Sequence, residues 1–187
     1  MAAAAGAAVL PAAAHAAKQA SSMRGPVLLT VTGAIGRGNR GPLDPALDQM
    51  MKKQGVAFDR AHTFDFAALT ALPAQTITPT LEYDGRQHRL SGPLLTQVVA
   101  AAGAQAGGQG QLVLRAIDGY AVAVPMADIR KYHFIVATHL DGKPLPLGGL
   151  GPLWAVYEAD RFGAMMARPL NERFALCPWG LYHIDVQ

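Results

Sequence analysis

Three Asp-Gly dipeptides, Asp84-Gly85, Asp118-Gly119 and Asp141-Gly142, each interrupt short apolar or extended-looking runs. Asp-Gly in this setting is tight-turn chemistry, because glycine enters the left-handed backbone region of a hairpin turn at no steric cost. A chain punctuated in this way folds neighbouring strands directly onto each other and leaves few segments long enough for crossover helices. The expected class is therefore α+β, with mixed, mainly antiparallel sheets and short helices.

The flanking segments fill in that scheme. Val27 to Thr32 is β-branched and apolar and stops at Gly33, which predicts a strand. Thr76 to Tyr83 predicts a second strand, with Pro79 marking an edge or an irregularity, and Arg86 to Leu90 its partner across Asp84-Gly85. Gln111 to Ile117 and Tyr120 to Val124 form a further pair around Asp118-Gly119. His133 to Thr138, Leu153 to Tyr157 and Leu181 to Val186 complete the strands. Helical spacing predicts Pro45 to Lys53 with Asp44 as N-cap, Asp65 to Leu72 capped by Asp65, Pro93 to Ala102 closed by Gly103, and Met126 to Lys131. Gly33 to Pro42 and Pro144 to Gly151 are glycine- and proline-rich loops, and no repeat is visible.

Of the 35 alanines in the 187 residues, 12 fall within the first 20. Met1 to Ala17 is an apolar run ending in Ala14-His15-Ala16, the small-x-small pattern of a signal-peptide cleavage site, with polar Lys18-Gln19 after it. Two readings stand for residues 1–24: a signal peptide, which would place the mature protein in the periplasm or outside the cell, or a disordered alanine-rich tail. Residues 25–187 are expected to form a single domain. No run of 18 strongly apolar residues exists, so no integral membrane segment is expected in the mature chain.

Charge and motifs exclude several functions. The net charge is +3, but the basic residues are scattered and the longest run is Lys52-Lys53, which argues against a nucleic-acid partner. One cysteine, Cys177, rules out an internal disulfide framework and a multi-thiolate zinc site. Flanked by Ala175-Leu176 and Pro178, it reads as a buried structural thiol rather than a nucleophile. The six histidines never fall at H-x-H or H-x-x-x-H spacing, and no metal site is assigned. There is no nucleophile elbow, Walker loop or dinucleotide fingerprint, and no catalytic residue is assigned.

What remains are polar residues on turns: Arg86, His88 and Arg89 at one, Asp118 and Tyr120 at a second, Lys143 at a third. Such positions either are solvated hairpin tips or collect a ligand over a rigid sheet. Arg86, His88 and Lys143 together could hold a phosphate by charge-assisted hydrogen bonds. Asp118 could serve the same pocket as an acceptor and Tyr120 as an aromatic wall.

The order of five segments resembles the sulfite-oxidase-like molybdopterin-binding domain in its short bacterial exported form. The segments are VLLTVTGAI (27–35), FDFAALTALPAQTITPTLEYDG (64–85), LSGPLLTQVVAAAG (90–103), LRAIDGYAVAVPMADI (114–129) and HLDGKPLPLGGLGPLWAVY (139–157). The resemblance implies the α+β fold of that family and a pyranopterin cofactor, molybdopterin, whose phosphate sits among basic and backbone donors. It implies Arg86, His88, Asp118, Tyr120, Lys143 and Trp154 as candidate cofactor contacts. The family's molybdenum is held by the pterin dithiolene and one protein cysteine, which would fall near Glu82 and Tyr83, where this chain has none. Trp154 stands where the family carries an arginine near the cofactor. Neither a carboxylate nor a phenol replaces a thiolate on a soft metal centre. Two functions follow. One is an oxidoreductase-like protein that binds the pterin without the usual ligand and serves a redox partner. The other is a cofactor-free exported protein that keeps the scaffold and binds a small molecule or a partner protein.

Overall fold

The structure, a computed structural model, describes residues 25–104 and 109–187, so both readings of residues 1–24 lie outside the described residues. Strand β1 is Val27–Gly33. Leu29 and Val31 point to the core at 0% exposure, while Thr30 and Thr32 lie on the other face and are also covered, at 1% each. A long excursion follows, with one helix, α1, at Gln49–Lys53. The helix predicted from Pro45 begins later because the Asp44 side chain takes the Ala46 and Leu47 N–H groups into a local turn. Strand β2, His62–Asp65, was not anticipated. Asp65 then caps α2, Phe66–Thr70, through Oδ1 and the Ala68 N–H at 2.7 Å.

Strand β3 is Ala74–Ile77 and β4 is Leu90–Pro93. Their ladder lies upstream and downstream of the expected hairpin. Pro79 has no N–H to give, so residues 78–89 form a loop with one bridge, Thr80 to Gln87, and the Pro79 carbonyl accepts from His88 N–H. Helix α3, Leu95–Ala101, buries Leu95, Val98 and Val99. Strands β5, Gln111–Ala116, and β6, Ala121–Pro125, form the expected hairpin and lead into α4, Met126–Lys131. Strand β7 shrinks to Ile135–Ala137, since His133 takes a left-handed backbone with φ 53°. Strands β8, His139–Leu140, and β9, Lys143–Pro144, close around Asp141-Gly142. Strand β10, Trp154–Val156, helix α5, Gly163–Met166, and strand β11, Leu181–Val186, complete the chain.

Three sheets result, in the orders β2-β1-β11-β5-β6, β3-β4-β8-β9 and β10-β7. All pairings are antiparallel except β1 with β11, which is parallel. The class is α+β with mixed, mainly antiparallel sheets. The main core joins Leu29, Val31, Leu112, Leu114 and Ile184 of the large sheet to α3 and α4. A smaller cluster of Met51, Val56 and Tyr182 forms separately, the first two from the excursion between β1 and β2. No helix among the described residues is long and apolar enough to cross a membrane.

Candidate functional site

Three segments far apart in sequence meet at one cavity of about 250 Å³: Glu82 and Tyr83 from the loop between β3 and β4, Asp118 and Tyr120 from the β5–β6 turn, and Cys177 and Trp179 from the segment before β11. Each is tied down. Gly119 has φ 95°, and Asp118 Oδ1 accepts the Tyr120 N–H at 2.9 Å, which fixes the turn. The Tyr120 hydroxyl donates to the Ala175 carbonyl at 2.5 Å, joining the turn to the third segment. That segment is held from below by β10: the Trp154 indole N–H donates to the Cys177 carbonyl at 2.9 Å, and Ala155 N–H donates to the Pro178 carbonyl at 3.2 Å. The loop carrying Glu82 is pinned by Thr80 N–H on Asp160 at 2.7 Å.

Burial, then the Glu82 carboxylate and Cys177, push Tyr83 up to about 12, so its phenol stays neutral. Burial also drives the Cys177 thiol well above its ordinary value, an effect only partly offset by the Tyr157 backbone N–H beside it. The sulfur is therefore a protonated thiol in the cavity wall. The sequence has no cysteine near Glu82 and Tyr83, so no sulfur was expected at that place. The folded chain corrects this, because the segment before β11 packs back against the β3–β4 loop.

The sequence-derived candidates divide into two groups. Asp118 and Tyr120 do share one cavity. Arg86 and Lys143 are exposed elsewhere, and neither lines it. His88 sits between two carboxylates, with Nδ1 2.8 Å from Asp141 and Nε2 2.9 Å from Asp84. These hydrogen bonds, Asp141 first, raise the His88 pKa, and His88 in turn lowers both carboxylates. His88 thus clamps two Asp-Gly turns together instead of facing a phosphate. Trp154 is fully buried and spends its only polar atom on Cys177, which makes it a support of the cavity floor rather than a contact for a cofactor. Phe174, Ala175 and Trp179 had no local sequence signal as site residues. Among the described residues, no group of three His, Cys, Asp or Glu side chains could hold a metal ion.

The chemistry of this donor set does not fit the group that the resemblance implies. A pterin phosphate is held best by cationic partners, whereas among the described residues the cavity is lined by the carboxylates Glu82 and Asp118 and by no Lys, Arg or His.

No protein-family model matches the sequence, and no curated protein matches it. Solved structures do match in fold, among them the sulfane dehydrogenase SoxCD from Paracoccus pantotrophus, with a TM-score of 0.54 at 14% sequence identity. The alignment covers 84% of this chain and 37% of that one, so the chain spans little more than a third of the dehydrogenase's length. The likeness is one of fold.

Proposed function

We propose that this chain keeps the scaffold of the sulfite-oxidase-like molybdopterin-binding oxidoreductases and uses it to bind a small molecule, without oxygen-atom transfer. The ligand sits in the cavity between residues 82–83, 118–120 and 174–179. The observation that carries this reading is the cavity lining: two carboxylates, exposed aromatic rings and, among the described residues, no cation. The five matching segments and the fold likeness to a sulfane dehydrogenase support the scaffold. Export to the periplasm or beyond belongs to the same proposal and rests on Ala14-His15-Ala16. N-terminal sequencing of the protein from its own envelope tests it, with a start at Ala17 or Lys18 as the expected result.

Metal analysis and pterin fluorescence on protein purified from a molybdenum-cofactor-competent host test the main claim. Molybdenum far below one atom per chain, without pterin, is expected. A stoichiometric metal with its pterin overturns the claim. In a melting-temperature screen of small molecules, ligands of this cavity stabilise the wild type and not Tyr83→Ala. A second reading, a pterin-bound redox protein, draws on one observation: Cys177 shares the cavity with Glu82 and Tyr83, where the resemblance expects a sulfur. On that reading Cys177→Ser loses a metal that the wild type carries.

A further inference from the structure

We propose that the ligand of this cavity is a small organic cation, an ammonium group on a compact apolar body. This rests on the reading of the cavity as the binding site and names the chemistry it selects.

Exposed aromatic rings carry the first part. Three aromatic side chains stand among the large apolar side chains left exposed in the described surface: Tyr83 at 55%, Tyr120 at 47% and Trp179 at 36%. All three line this one cavity. The other exposed apolar residues, Val27, Leu47, Met50, Leu147 and Met166, are aliphatic, and none of them lines it. Single exposed apolar residues are ordinary on a protein surface, but convergence of all the exposed Tyr and Trp side chains of the described residues on one concavity marks a ligand site.

Charge carries the second part. The chain has a net charge of +3, yet the carboxylates Glu82 and Asp118 line the cavity, and no basic side chain of the described residues lines it with them. Neither belongs to any ion pair among the described residues. The faces of phenol and indole rings carry negative quadrupole density and attract ammonium groups, and the carboxylates add a longer-ranged pull of the same sign. Anions are repelled by both. A hydrated divalent metal gains nothing from rings and needs several convergent oxygen ligands, which this lining lacks.

Size carries the third part. About 250 Å³ lies below the range for drug-sized ligands, which suits a ligand with few heavy atoms. Tyr120 is held by its hydroxyl on Ala175, so at least one ring is oriented before any ligand arrives.

The test titrates the full chain with choline chloride, with its uncharged isostere 3,3-dimethylbutan-1-ol, and with sodium acetate. Ionic strength is held constant, and tryptophan emission and calorimetry are the readouts. Choline is expected to bind at least about tenfold more tightly than the alcohol, with acetate silent. In the Glu82→Gln, Asp118→Asn double variant, choline affinity is expected to fall toward that of the alcohol while alcohol affinity holds. Equal binding of choline and the alcohol, or binding of acetate, overturns the cation assignment. The cavity reading survives that result if Tyr83→Ala removes the binding. Absence of any choline binding at saturation also overturns the assignment, whereas the ligand screen and metal analysis judge the cavity reading separately.

Discussion

Trp154→Phe isolates the bond that holds the cavity floor. Trp154 is fully buried, and its indole N–H reaches the Cys177 carbonyl at 2.9 Å, within a residue that is itself only 4% exposed. Phenylalanine keeps an aromatic ring there but cannot donate, so the Cys177 carbonyl is left buried without this partner, which costs about 1–3 kcal/mol. The smaller ring also removes roughly 40 Å³ of filled volume, worth about 1 kcal/mol at the usual cavity cost. The sum is about 2–4 kcal/mol, or about 5–15 °C in melting temperature for a chain of this size. Thermal and urea unfolding followed by circular dichroism give the value, with Trp179→Phe as the comparison. Trp179 is more than a third exposed, so its replacement is expected to cost less than about 1 kcal/mol. A Trp154→Phe loss below about 0.5 kcal/mol would mean that the indole bond does not anchor this segment.

Gly92 in β4 has the Val136 carbonyl oxygen 1.9 Å from where a Cβ would sit, so Gly92→Ala is expected to cost about 3 kcal/mol or more, while Gly163→Ala, with open space around it, is near neutral; paired urea melts decide. Because its pKa is raised, His88 contributes stability fully below pH 6.5 and loses it as pH climbs through the native value. The lowered Asp84 and Asp141 lose their contribution only toward pH 3.8 and below, so the gap between wild type and His88→Ala is widest between these limits and closes in alkali, and a pH-independent gap would refute the clamp. His183 behaves oppositely: burial, with Arg115 beside it, lowers it to about 4, so only the unfolded chain takes up a proton between pH 6.5 and 4. Native stability should therefore fall by about 3 kcal/mol over that span in the wild type and by much less in His183→Gln, measured by melts at stepped pH. Cys177 should react with a disulfide reagent only on unfolding, and rapid native labelling would contradict its burial.

Local chemistry made much of this fold legible. The β5–β6 hairpin follows from alternation and Asp118-Gly119, and its burial alternates along Gln111–Ala116 as a half-covered strand requires. The Asp65 cap and the helix Met126–Lys131 likewise follow from neighbouring residues. Strand β2 was illegible because four residues between a loop and a helix cap carry too little periodicity. The parallel pairing of β1 with β11 had no local signal either: Thr32 meets His183 across 151 residues. The site divided along the same line. Asp118 and Tyr120 announced themselves on a turn, whereas Cys177 and Trp179 reach the cavity only through long-range packing. Basic residues on turns suggested an anion site, but a turn sequence does not reveal that two carboxylates will close on His88.

The long-range origin of the cavity also bears on how it binds. Its third wall, residues 174–179, carries no regular strand of its own, and it is strutted from both sides: to β10 through the Cys177 and Pro178 carbonyls, and to the β5–β6 hairpin through Tyr120 on Ala175 and Ile117 N–H on the Gly180 carbonyl. A loop braced in this way presents Trp179 and Tyr120 in fixed relation, so a ligand bears little of the cost of ordering them. The same bracing turns the Cys177 sulfur toward the Tyr157 backbone, in an environment where burial keeps the thiol neutral. Placement of a sulfur and activation of a sulfur are therefore separate achievements of a fold. Among the described residues no cation lines the cavity to stabilise a thiolate, so the protein's own groups place the sulfur without activating it. Binding by ring faces and carboxylates needs only the first kind of order, and the three braced segments supply it.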